Sequence, residues 1–391
     1  MPHKVLFVQS QTEVGGAETS LLTSLAAINA KQLEPTVAVL GFGQGDLPDR
    51  LKAVGVEVFE FAAGRLRNPL AWMRACRRLA HIARRTKAAM LVANGYHPHL
   101  YARPAARSAR ARSAVFCHDF PAEKGDACLI ERVSFSMHSD AYLAPSVAMV
   151  RAVEERVSSH VPVYHVPNGT DTTRFHPDAP GAAAFRSEMG VGASQLMVTL
   201  VGRLQPWKGQ HVFLDAAAKA AQADQNLRFV LVGEALFGQD EDYPRQLQKQ
   251  ASLLGVDDKV TFAGNRTDMP AVYSASDMVV HCSVHPEPFG VVIIEAMAAG
   301  CPVLVSRDGG AAELFDEGLN GMGYALGDAN ELARLMVTLA RDRNLREKLG
   351  INGRKHVVQQ YSAASSAEAL TRAVKSTLAP SVSRSQRMSG Q

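Results

Sequence analysis

Four charged residues in the second half of the chain have the types and spacing to handle a phosphorylated ligand. Glu287 and Glu295 bracket a Pro-Phe-Gly turn in HPEPFGVVIIEAMAAG, and Arg203 and Lys208 lie in GRLQPWKGQ, directly after the apolar run LMVTLV. The turn predicts a helix starting near Phe289 or Gly290, whose unpaired N–H groups and dipole favour an anion. Gly290 leaves room for a ligand to approach the backbone. Glu295 follows five residues later, about 7–8 Å at the helical rise of ~1.5 Å per residue. Phosphates of a nucleotide can then meet the helix start while Glu295 receives ribose hydroxyls and Glu287 faces the group on the terminal phosphate. Arg203, able to bridge two oxygens, and Lys208, a mobile point charge, would neutralise a diphosphate. The competing reading is two surface acids and two solvated cations. It is weakened by AMAAG and CPVLVS directly downstream, which bury the helix; an ionised Glu is seldom buried unpaired.

Weaker signals lie elsewhere. Gly15-Gly16 in TEVGGAETS follows the first apolar run and lets backbone approach a phosphate or a sugar. Neither GxGxxG nor GxxxxGK[ST] is present. His118 in FCHDF ends a strand-like run, where it can hydrogen-bond a sugar hydroxyl or a leaving diphosphate, or serve the fold alone. PNGTDTTRF (167–175) and RDGGAAELF (307–315), with Gly309, Gly310 and Glu313, read equally well as cleft lining or as turns.

These residues need elements to hold them. Short apolar runs, each followed by a helical pattern, recur at 4–9, 36–40, 56–61, 90–95, 113–119, 141–146 and 163–169, and again at 196–203, 228–234, 260–264, 278–283 and 302–310. Such runs are the pattern of strands buried on both faces, hence of parallel sheets covered by helices. With 391 residues, two domains are expected at roughly 100–200 residues each. The turn-rich NGTDTTRFHPDAPGAAA places the boundary near 176, giving domains 1–176 and 177–361, a final helix 362–378 and a disordered tail 379–391. Ligands in such sheets sit beyond the carboxyl ends of the strands. Hydrophobic residues make up 47% and charged residues 20%, a globular balance, with a net charge of +4. The five cysteines are scattered and form no CxxC pair, so a disulfide framework or zinc knuckle is not expected, and a reducing cytosol fits. The apolar run in MPHKVLFVQSQ is short for a signal peptide, and no run reaches the ~18 residues of a membrane span.

Together these segments resemble the retaining nucleotide-sugar glycosyltransferases of family 4, whose architecture is GT-B: two doubly wound, Rossmann-like α/β domains facing across a cleft. The resemblance covers most of the chain and is strongest over 196–320. Its most specific element is the E-x7-E pattern from Glu287 to Glu295 in EPFGVVIIEAMAAGCPV; GRLQPWKG, VGGAE, HD, PNGTD and DGGAAEL also match. The resemblance implies that Arg203 and Lys208 hold the donor diphosphate and that Glu295 binds ribose. Glu287 and the backbone of Phe289, Gly290 and Val291 would contact the donor sugar. His118 would lie near the reacting carbon, and Gly15 and Gly16 would close over the phosphates. His118, Glu287, Arg203 and Lys208 are thus the candidate catalytic set. The implied reaction is front-face displacement with retention, with no cofactor and no metal, since no DxD-like site is apparent and the two cations take that role. The N-terminal domain would bind the acceptor and the C-terminal domain the nucleotide sugar, and the last helix would cross back to the first domain. UDP is expected over GDP, by frequency alone. Many relatives carry Arg or Leu where Val291 stands, and the acidic loop 236–246 is expected to be a second departure from them.

From Phe61 through His118 there is no Asp or Glu, while Arg65, Arg67, Arg74, Arg77, Arg78, Arg84, Arg85, Lys87, Arg103, Arg107, Arg110 and Arg112 lie in that span. Arg74, Arg77, Arg78, His81, Arg84 and Arg85 fall on one helical stripe, opposite Trp72, Cys76, Leu79 and Ala83. The basic stripe 65–112 reads either as a solvated face or as a surface for anionic lipid headgroups or a lipid-linked diphosphate. Nucleic acid is not expected, because aromatics are not interleaved with the arginines. The expected protein is a cytoplasmic enzyme, peripheral at the inner membrane, acting on a glycan or lipid-linked acceptor in cell-surface polysaccharide synthesis such as lipopolysaccharide, capsule or exopolysaccharide. An epimerase or phosphorylase of the same architecture and a non-catalytic glycan-binding module are the other readings. A missing Arg/Lys pair or a pyridoxal lysine would favour the first two, and neither signature is present. The intact candidate residues argue against the third.

Overall fold

The computed structural model describes residues 1–122, 125–235 and 240–379. Part of the acidic loop 236–246 and the tail 380–391 lie outside the described residues. The chain forms two compact units: residues 1–144, 150–166 and 367 onward make the first, and 145–149 with 167–366 make the second. The change of unit therefore falls at 166/167 rather than near 176. The turn-rich segment that drew the expected boundary lies inside the second unit, where Arg354 donates to the Phe175 carbonyl at 3.1 Å.

The first unit is a seven-stranded sheet built from β1 (His3–Gln11), β2 (Leu33–Phe42), β3 (Glu57–Glu60), β4 (Met90–Asn94), β5 (Arg112–Phe116), β6 (Ala141–Ala144) and β7 (Val163–His165), in the order β3-β2-β1-β4-β5-β6-β7. Its paired strands are all parallel. Successive side chains of a strand point to opposite faces, and β1 shows the result: Val5 and Phe7 enter one core while Leu6 and Val8 enter the other. Both cores are apolar because helices cover both faces, which explains why the strand runs are continuous rather than alternating.

The second unit repeats the plan with β8 (Leu196–Val201), β9 (Leu227–Val232), β10 (Val260–Gly264), β11 (Met278–His281), β12 (Val303–Ser306) and β13 (Met322–Tyr324), ordered β10-β9-β8-β11-β12-β13 and again parallel. Among the described residues, twelve of the thirteen strands coincide with the apolar runs read from the sequence. The exception, β13, has three residues, Met-Gly-Tyr, too few to show a pattern; pairing with β12 alone makes it a strand. In each unit the strand order reverses at one point, between β1 and β4 and between β8 and β11. The loops leaving those strands diverge there and open a crevice for a ligand.

The helix Ala363–Leu378 supplies Ala369, Leu370, Ala373 and Val374 to the same core as Val5, Phe7 and Val37 of the first unit. Leu370 is fully enclosed. Leu370→Ala should cost about 2–5 kcal/mol, the range for a buried leucine that leaves a cavity. Chemical denaturation of the full chain measures it, and an unchanged midpoint would mean that this helix does not complete the first core.

Candidate functional site

In the second unit the reversal point gathers the predicted charges. Arg203 and Lys208 lie in the segment that leaves β8, and Glu287 lies in the segment that leaves β11. Pro206–Lys208 form a single 3-10 turn, and Gly209 follows with φ +73°. A side chain at Gly209 would place its Cβ 1.8 Å from the Cys282 carbonyl oxygen, so only glycine allows the β8 and β11 segments to approach this closely. The Trp207 carbonyl accepts from the Val284 N–H at 2.8 Å and ties the two segments together. Lys208 Nζ sits 3.8 Å above the Trp207 ring and donates to Glu287 Oε2 at 2.7 Å. Arg203 is half-buried at the strand end, and its carbonyl accepts from Gln210 Nε2 at 2.7 Å.

Glu287 is buried. Its Oε2 also accepts from Ser283 Oγ at 2.7 Å and lies 3.2 Å from His281 Nε2, while His281 Nδ1 meets Ser306 Oγ at 3.1 Å. Burial alone would raise the Glu287 carboxyl. The Lys208 charge and the His281 contact outweigh it and hold the group well below the usual carboxylate range. All three partners converge on Oε2, and Oε1 has no protein partner among the described residues. The backbone is fixed equally firmly. The Gly310 N–H donates to the Glu287 carbonyl at 2.7 Å, and a Cβ at Gly309 would come within 2.5 Å of that oxygen. The Gly309-Gly310 pair, read as cleft lining or turn, thus packs against the acid's own backbone. Glu313, from the same segment, instead accepts the Val147 and Ala148 N–H groups at 2.8 and 2.7 Å, at the start of the helix Val147–Glu154.

The helix expected near Phe289 or Gly290 runs from Val291 to Ala298, with Gly290 as its N-cap at φ +100°. Phe289 is buried and Val291 half-buried. Glu295 lies in the second turn of this helix, buried, and accepts from the Tyr273 hydroxyl at 2.8 Å through Oε2. Burial pushes its carboxyl up to about 7, against the opposing pull of the Tyr273 hydrogen bond and the Arg174 charge. The two acids of the motif are therefore pushed in opposite directions, Glu287 down by its cationic partners and Glu295 up by burial. Sequence reasoning missed Tyr273, His281, Ser283 and Ser306. The last three sit in or beside the apolar runs MVVHCS and PVLVSRDGG, where their alternation with apolar residues was the only available signal.

In the first unit, Gly15 is the N-cap of the helix Gly16–Ala26. His118 follows β5, half-buried and stacked on Phe116 with ring centroids 4.5 Å apart. Its Nε2 lies 2.6 Å from Asn94 Oδ1, at the end of β4. Burial lowers the ring's pKa to about 4, so it is neutral near pH 7.

The family model "Glycosyl transferases group 1" matches residues 184–356, and the model "Glycosyltransferase Family 4" matches residues 14–174. The chain belongs to the family 4, group 1 glycosyltransferases. The D-inositol 3-phosphate glycosyltransferase of Nocardia farcinica is 31% identical over 267 residues, covering 65% of this chain and 58% of that protein. Its counterpart in Saccharomonospora viridis is 34% identical over 199 residues, covering 50% of this chain and 45% of that protein. The chain thus spans about half the length of these curated relatives. The crystal structure of Anabaena Alr3699/HepE in complex with UDP and glucose superposes with a TM-score of 0.85 at 27% identity, covering 96% of this chain and 100% of that one. The architecture is GT-B, two parallel-sheet Rossmann-like units.

Glu295 makes stability depend on pH in a defined direction. Its folded pKa lies above the ordinary value, so between about 4.5 and 7 the folded chain holds a proton that the unfolded chain has lost. Stability from this group is complete below that window and is lost as pH rises through it. Relative to Glu295→Gln, the wild-type melting temperature should fall between pH 5 and pH 8. Parallel melting curves for the two proteins across that range would show that the carboxyl titrates normally.

Proposed function

We propose that this glycosyltransferase transfers a sugar, with retention and without a metal, from a nucleoside diphosphate onto a glycan acceptor. UDP is the expected nucleotide. The donor is assigned to the second unit and the acceptor to the first. One observation carries the reading: Glu287 is held ionised by Lys208, Ser283 and His281 through a single oxygen, at the start of the helix Val291–Ala298. An acid locked in this way offers Oε1 to a sugar hydroxyl and can neither rotate nor take up a proton. Lys208 spends one of its three N–H groups on Glu287, which leaves two for a diphosphate. Arg203 and the free N–H groups at the helix start add positive potential where the leaving group gains charge. Glu295 keeps Oε1 without a protein partner among the described residues, which suits it to ribose hydroxyls. The backbone of Phe289 to Val291 would line the sugar. In the Anabaena structure the bound molecules are UDP and glucose, which supports a sugar-nucleotide donor here.

A thermal-shift screen of UDP-, GDP- and ADP-sugars tests the donor. The true donor at 100 times its Kd should add about 2.7 kcal/mol to stability. With that donor, Lys208→Ala should reduce turnover roughly 10²–10³-fold, the cost of removing one preorganised charge-stabilising donor. Glu295→Ala should weaken nucleotide binding more than Glu287→Ala. Near-normal turnover in the Lys208 variant would remove it from the diphosphate site.

The acceptor is assigned to a lipid-linked intermediate of cell-surface polysaccharide, met at the inner, cytoplasmic face of a membrane. Arg74, Arg77, Arg78, His81, Arg84 and Arg85 are exposed on the helix Pro69–Thr86, and Leu70 and Met73 beside them are exposed as well. Among the described residues of the acid-free span, Arg112 alone makes an ion pair, with Asp140. Arg78 and Arg85 stack over Phe61 and Phe59. No helix of the described residues is long and apolar enough to cross a membrane. Each arginine near an anionic bilayer adds about 1 kcal/mol of attraction. Replacing Arg74, Arg77, Arg84 and Arg85 by Gln should therefore weaken binding to phosphatidylglycerol vesicles at least tenfold, with a smaller salt dependence, in a co-sedimentation assay. Unchanged binding would reduce the stripe to a solvated face.

A further inference from the structure

Four side chains of the first unit form one directional hydrogen-bond relay that ends on His118. Its polarity can be worked out from the fixed end. Gln9 Nε2 points at two acceptors, Glu18 Oε1 at 2.7 Å and the Gln11 carbonyl at 3.3 Å. A carbonyl oxygen only accepts, so the Gln9 amide cannot be reversed without setting its own oxygen against both. Glu18 is itself oriented, because Oε2 accepts the Gly15 N–H at 3.1 Å. With Nε2 of Gln9 so committed, its Oε1 accepts from Asn94 Nδ2 at 2.7 Å. Asn94 Oδ1 must then accept from His118, and the proton on that ring must sit on Nε2. Gln9 and Glu18 are buried, as is Asn94, so water does not compete with the two inner links, Glu18–Gln9 and Gln9–Asn94.

We propose that Glu18, Gln9 and Asn94 are positioning residues that lock His118 as its Nε2–H tautomer, so that the ring presents the bare Nδ1 to substrate. The ring has one donor, and Asn94 takes it. Nδ1 has no protein partner among the described residues and can only accept. The group facing it is therefore a hydrogen-bond donor, a substrate hydroxyl, and not a phosphate oxygen, whose lone pairs the bare nitrogen would repel. Of the two roles open to His118 in the sequence, sugar hydroxyl or leaving diphosphate, the relay selects the first. The low pKa of the ring agrees, because a neutral imidazole gives no charge to a pyrophosphate. The relay also ties the Gly15-Gly16 turn to the same ring through Glu18. This inference rests on the glycosyltransferase reading for its substrate, but not for its tautomer.

Long-range 1H–15N spectra of the full chain, with His118 assigned by comparison with His118→Gln, test it without any substrate. The expected result is a single Nε2–H tautomer across pH 6–8, unaltered by millimolar pyrophosphate. Asn94→Leu should release an Nδ1–H population and reduce kcat about tenfold with KM for the donor within twofold. Asn94→Asp, which keeps an acceptor oxygen, should restore the Nε2–H form. An Nδ1–H ring in the wild type, ring protonation by pyrophosphate, or full activity in Asn94→Leu would each overturn the proposal. A correct tautomer in a protein that uses no sugar nucleotide would instead count against the functional reading alone.

Discussion

The candidate site of the second unit is organised around one ion pair, half-buried Lys208 with buried Glu287. Such a pair is costly to desolvate, and attraction in the interior compensates only when further hydrogen bonds complete the geometry. Ser283 and His281 provide that completion, and Ser306 orients His281 in turn. The pair also dictates local sequence. It requires the loops after β8 and β11 to touch, hence Gly209 against Cys282. It requires the Glu287 backbone to be clamped, hence Gly309 and Gly310. Residues that looked like candidate ligand contacts are in this sense the scaffold of one acid.

The two units solve different electrostatic problems at equivalent places in their sheets. In the second, charge is concentrated and compensated by charge. In the first, the residues around the reversal of strand order are mostly neutral amides and an imidazole, anchored on one carboxylate, Glu18. A relay of amides transmits direction rather than charge, because each link fixes which atom of the next is donor. Under the proposed reading, positive potential for a diphosphate and a hydrogen-bond acceptor for a hydroxyl would come from separate elements of the chain.

Much of this was legible in the sequence. The strands were visible because burial on both faces leaves continuous apolar runs, and a helix start near Phe289 or Gly290, one or two residues before the observed Val291, was visible because Pro-Phe-Gly must end one segment before a helix can begin. The domain change was misplaced because turn-forming residues mark irregular backbone and say nothing about which core that backbone joins; Phe175 packs with Tyr273 and Met297 in the second unit. The partners of the acids were illegible for a related reason. Tyr273, His281 and Ser306 are far from Glu287 or Glu295 in sequence or concealed in strand patterns, and only the parallel register of β11 with β12 brings His281 beside Ser306. The polarity of the His118 relay lay further from view, since it depends on three strands meeting in register.

The helix Ala363–Leu378 has one more consequence. Its inner face completes a core whose other members, Val5 through Val166, are encoded almost two hundred residues earlier or more. A ribosome delivers the first unit's sheet long before it delivers Leu370 and Val374. During synthesis the nascent sheet must therefore wait with an unsealed apolar face until the second unit has been made. Loss of this last helix would therefore harm the part of the protein that was translated first.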